Sequence, residues 1–157
     1  MNPLLFLERA ENELELAKII FKISQDKEMQ ITLFKTNTPL SFFSAVITHS
    51  YYCIFYTAKA YLASQNIKLK PPEEHKKTYE EFKKFTNRGI IDASLLLSYK
   101  EVLIKADVLL EIFKIEKKKR GRFTYQKMPQ ANEQPAKESL NHAKTFFKHV
   151  NYLISKN

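Results

Sequence analysis

The chain has 157 residues and a formal net charge of +9, with 44% apolar and 13% aromatic residues. That length suits one domain, residues 1–157, with enough apolar material for a core, and only two glycines (Gly89 and Gly121) argue against phosphate-cradling loops and tight β-hairpins. A lone cysteine, Cys53, allows no internal disulfide, and the start is acidic with no basic leader, so the expected setting is the cytoplasm and not a secretory route.

In chain order, Asn2 and Pro3 mark the start of a first helix. Leu7, Ala10, Leu14, Ala17 and Phe21 recur at helical spacing along it, with Glu8, Glu11, Glu15, Lys18 and Lys22 largely off that stripe. Residues 25–37 hold no Gly or Pro and fit either an extended helix or a short extended segment. The next stretch, Thr38 to Asn66, is apolar on nearly every side, which places it at the centre of a bundle. His49, Ser50, Thr57 and Lys59 interrupt it too often for a membrane span. Thr38 as cap and Pro39 at the first helical position set its expected start.

Pro71–Pro72 breaks the chain, and Glu73 and Glu74 open a short third helix carrying Tyr79, Phe82 and Phe85 and ending at Gly89. Asp92 caps a fourth, whose stripe is Leu95, Tyr99, Val102, Ala106, Leu109 and Phe113, widened by Leu96, Leu103 and Leu110, with Gly121 as the breaker. Asn132 caps a fifth, with Ala136, Leu140, Ala143, Phe147, Val150 and Ile154 on one face. No segment alternates with period two. The expected fold is therefore all-α, an up-and-down bundle of about five helices around a central apolar helix.

The charge is uneven. Residues 114–127 hold seven cations against Glu116, six of the nine net positive charges, with Phe123 and Tyr125 among them. Such a run is a footprint for nucleic acid or another polyanion; the alternative is a solvated helix end whose cations complement the macrodipole. The histidines make no metal signature: His142 and His149 lie seven residues apart, about 10.5 Å along a helix axis, too far for one zinc. His49 suits a hydrogen bond across the bundle, and His75 a surface or helix-end position. Cys53 sits among apolar residues as an inert thiol. Neither a metal nor a cofactor is expected.

Several segments together resemble the HEPN domain family of small helical bundles. Ser50 to Leu62, SYYCIFYTAKAYL, is similar to its SxYYAxFxAAxALL-like second helix, and Glu74 to Phe85 to its Lys-Thr-His…Phe segment, with His75 at the histidine. Arg120 to Tyr125, RGRFTY, resembles the RxxADY motif of one branch, and ESLNHAKTFFKHV the closing helix. Members of that family include ribonucleases and toxins, partners of small nucleotidyltransferases in toxin–antitoxin pairs, and noncatalytic nucleotide- or RNA-binding modules. The ribonuclease branches carry an Arg, four to six residues, then His. Here no His follows Arg9, Arg88, Arg120 or Arg122 within seven residues, and the nearest arrangement is Arg120, four residues, Tyr125. Tyrosine, with an ordinary pKa near ~10, is a poor general base at neutral pH.

The resemblance implies a noncatalytic nucleotide- or RNA-binding homodimer, working beside a nucleotidyltransferase. Arg120 and Arg122 would contact phosphate, Lys117, Lys118 and Lys119 would supply salt-sensitive attraction, Tyr125 would stack or hydrogen-bond, and His75 is a further contact. The competing expectations are a divergent metal-independent ribonuclease using Arg120 and Tyr125, and a structural protein whose basic run docks an acidic partner. No membrane role is expected.

Overall fold

A computed structural model describes residues 2–110 and 133–156. All regular structure among them is helical. Helix α1 spans Pro3–Gln25; the Asn2 side chain accepts from the Leu4 amide at 2.9 Å, and Pro3 occupies the first turn. Residues 25–37, open on sequence, hold a separate helix. Asp26 is extended, ends α1, and accepts from the Met29 amide at 2.9 Å to start α2, Lys27–Phe34, which stops at Lys35 in the left-handed region.

The central helix α3 runs Phe43–Ser64, four residues later than Thr38–Pro39 led one to expect. The reason is tertiary. Buried Gln30 on α2 donates from Nε2 to the Ile23 and Leu40 carbonyls, at 2.8 and 2.9 Å, and accepts from the Leu40 amide at 2.7 Å. Ser24 Oγ accepts from the Phe42 amide at 3.0 Å. Backbone groups that a first turn would have used are thus already paired with side chains, and the chain stays extended up to Phe42.

At its far end α3 closes with Asn66 left-handed, the Ile67 amide bonding the Leu62 carbonyl (2.9 Å) and the Asn66 amide that of Ala63 (3.0 Å). Helix α4, Glu74–Asn87, ends the same way at Gly89 (φ 69°), with Ile90 bonding Phe85 and Gly89 bonding Thr86. Helix α5, Ala93–Leu110, begins with Asp92 accepting from the Ser94 amide at 2.8 Å. Helix α6 is Glu133–Ser155. The expected Asn132 cap, the Gly121 breaker and Phe113 lie outside the described residues.

Helix α3 packs against α1, α4, α5 and α6, so it is the centre its composition suggested. Its buried residues occupy nearly every direction, from Val46 to Leu62. Around it Phe82, Tyr99 and Phe146 interlock, with ring centroids 5.2 Å apart for Phe82–Phe146 and 5.7 Å for Tyr99–Phe146. On α6 the fully buried aromatic is Phe146; Phe147, expected in the stripe, is only partly buried. The helix is rotated slightly from its simplest reading, and Ser139 joins the buried face, its hydroxyl donating to the Pro135 carbonyl. No helix among the described residues is long and apolar enough to cross a membrane.

Candidate functional site

The half-exposed side of α3 is where polar chemistry gathers. His49, Tyr52, Tyr56 and Lys59 step by three, four and three residues, so they share one face. Helix α1 flanks them with Phe6, Arg9 and Glu13, and α4 with Glu74 and His75.

At the α4 end, the His75 ring stacks on Phe55 with centroids 4.0 Å apart and meets Tyr52 edge-on at 6.0 Å. Its Nδ1 lies 2.8 Å from the Tyr51 hydroxyl. Burial drives the Tyr51 phenol far above its usual range, so it stays protonated; with Tyr51 as donor, His75 carries its own proton on Nε2. Beside it the Lys59 ammonium, mostly buried, bonds the Glu74 carboxylate at 2.6 Å and lies 4.5 Å from the Phe6 ring centre and 5.4 Å from that of Phe55. This clasp ties the first turn of α4 to α3 and α1, where no side chain caps the helix.

At the other end the buried Glu13 carboxylate is shared. Oε1 accepts from Arg9 Nε at 3.1 Å, and Oε2 lies 2.6 Å from His49 Nδ1. The His49 hydrogen bond across the bundle is therefore present, with Glu13 as its partner. Arg9 also covers the Tyr56 ring at 5.4 Å, and Tyr56 stacks on Tyr52 at 6.1 Å. Contact by contact, the seam is continuous from His49 through Glu13, Arg9, Tyr56 and Tyr52 to His75.

His75 thus stands in the first turn of α4, the helix-end position expected, but is half-buried there, and desolvation, opposed in part by Glu74, lowers its pKa from the ordinary value. The sign follows. The native state binds fewer protons at this ring than the unfolded chain, so stability is full above about pH 6.5, falls as pH drops through the lowered native value, and levels off below it. His75→Gln is expected to remove that component: urea midpoints at pH 7.5 and pH 5 should differ more for the wild type than for the variant. Equal differences would show that His75 titrates as in water.

Of the residues expected on sequence to form the site, only His75 lies among those described; Lys117, Lys118, Lys119, Arg120, Arg122 and Tyr125 lie outside them. Sequence reading passed over Tyr52, Tyr56, Arg9 and Glu13. The signal was the spacing His49, Tyr52, Tyr56, Lys59, hidden because tyrosine counts as apolar in a stripe. Burial pushes the Cys53 thiol up to about 12, which keeps it unreactive. Among the described residues no group of three His, Cys, Asp or Glu could hold a metal ion. His142 instead bonds Glu101 at 2.8 Å.

The molecule is, by its fold, an all-helical bundle built on one central helix. No protein-family model matches the chain, and neither the curated proteins nor the solved structures searched contain a match.

Proposed function

We propose that the chain is a noncatalytic RNA- or nucleotide-binding module of HEPN type, acting as a homodimer beside a small nucleotidyltransferase. The observation that carries this reading is the basic segment 114–127, six net positive charges with Phe123 and Tyr125, in a chain whose central helix resembles that family. The half-exposed Tyr56 of α3, with the Arg9 guanidinium over its ring, adds support, since a cation beside an aromatic face suits stacked bases. His75 favours binding over cleavage: its ring is stacked on Phe55 and its Nδ1 is occupied by Tyr51.

The test is a titration of the protein into labelled single-stranded RNA at low and moderate salt, followed by anisotropy and by a denaturing gel. The expected result is salt-sensitive binding of intact RNA. Arg120→Ala plus Arg122→Ala should weaken it and reduce the slope of log affinity against log salt by roughly 1.4, for two lost phosphate contacts on a single strand. Unchanged affinity would remove Arg120 and Arg122 from the site. Shortened RNA, lost on Tyr125→Phe, would make the protein a ribonuclease. No binding at either salt would favour a scaffold whose basic run meets an acidic protein.

A further inference from the structure

A second surface has the chemistry of a nucleotide site, away from the α3 seam. Where the start of α5 meets the end of α6, a groove of about 820 Å³ opens between Ile90, Asp92 and Leu95 on one side and residues 147–155 on the other. That volume lies within the roughly 300–1,000 Å³ of small-molecule sites. Its floor and walls are largely apolar, with Phe147 and the ring of Tyr152, which is 57% exposed. Its α6 rim carries Lys148 and His149. The Lys156 ammonium sits 4.5 Å from the centre of the Tyr152 ring.

The charge along this rim has one sign. From residue 139 to the end of the sequence there is no Asp or Glu, while Lys144, Lys148 and Lys156 are present. Lys148 is exposed, and no carboxylate among the described residues pairs with it. The one anion in the groove is Asp92, on the opposite wall, and its Oδ1 is engaged by the Ser94 amide. A cationic rim, an exposed aromatic ring and an apolar cleft together match a phosphate joined to a flat base. The Asp92 carboxylate, on the α5 side and interacting with His149 across the groove, repels phosphate toward Lys148.

We infer that this groove takes one nucleotide of a bound single-stranded RNA, its base against Phe147 and Tyr152 and its phosphate on Lys148 and His149. The inference rests on the RNA-binding reading above and adds a contact point on residues 147–152 to those expected from the basic segment.

The experiment uses the full chain and the same labelled single-stranded RNA, with Lys148→Ala and Tyr152→Ala made separately. Both side chains are exposed, and a thermal melt checks that each variant folds. Tyr152→Ala is expected to weaken binding roughly tenfold, the worth of one stacked base. Lys148→Ala should reduce the salt slope by about 0.7, for one phosphate. Wild-type binding with both variants unchanged in affinity and slope would overturn the groove and leave the RNA-binding reading intact. An absence of wild-type binding would overturn both. Loss in these variants together with full binding by Arg120→Ala, Arg122→Ala would uphold the groove and remove the two arginines from the site.

Discussion

Phe146→Ala is expected to cost on the order of 3–5 kcal/mol of folding stability. Phe146 has no exposure and touches the rings of Phe82 and Tyr99, themselves fully buried on two other helices. Deleting it removes the ring's transfer free energy and leaves a hole walled by stiff aromatics on α4 and α5, which can collapse little. For a chain of this length the melting temperature should fall by roughly 10 °C or more. Phe147→Ala is the control. Phe147 is partly buried on the rim of the α5–α6 groove and should cost well under half as much. Thermal melts of the two variants read out the rotation of α6 directly: a larger loss at Phe147 would put the helix in the register that its stripe of apolar residues first suggested.

Gln30→Leu is expected to cost on the order of 3 kcal/mol, though it replaces a side chain only 1% exposed by an apolar one of similar size. Gln30 bonds both backbone groups of Leu40 through its side chain, and it also bonds the Ile23 carbonyl near the end of α1. Leucine fills the volume but leaves the Leu40 amide and carbonyl without these partners, while the Ile23 carbonyl keeps the Asp26 amide; an unsatisfied backbone group shielded from water costs roughly 1–3 kcal/mol. Urea unfolding gives the loss, and amide exchange at Leu40 gives its place. Fast exchange at Leu40 with little global loss would mean that water replaces Gln30 at small cost. Slow exchange with full stability would remove the clasp as the reason α3 starts at Phe43.

Both cases separate local from tertiary information. The ends of elements were legible where the signal is carried by neighbours in sequence. Asn2–Pro3 starts α1, Asp92 starts α5, and Gly89 ends α4 through bonds spanning five residues or fewer. Thr38–Pro39 is the same kind of signal and misled, because Gln30, ten residues earlier than Leu40, offered its backbone a better partner. Asp26 shows the converse: its cap for α2 is local, yet nothing nearby in sequence said that α1 would stop there rather than continue.

The candidate site divides along the same line. The basic segment stands out in the sequence because charge is visible one residue at a time. The α3 seam does not, because Tyr52 and Tyr56 read as core until α1 and α4 are placed beside them, bringing Arg9, Glu13, Lys59 and His75 into contact. The α5–α6 groove is similar: Lys148 and Tyr152 are ordinary surface residues until Ile90 and Asp92 face them.

By itself, then, the sequence determined an all-helical chain, its periods and most of its caps, and that the apolar stretch from Val46 to Leu62 had to lie inside, since helical spacing and apolar content act over a few residues. Only the tertiary structure decided where α3 begins, which phenylalanine of α6 is buried, and which polar groups meet. Those depend on partners far apart in the chain, and the free energy of a buried hydrogen bond or a filled cavity exists only once both sides are present.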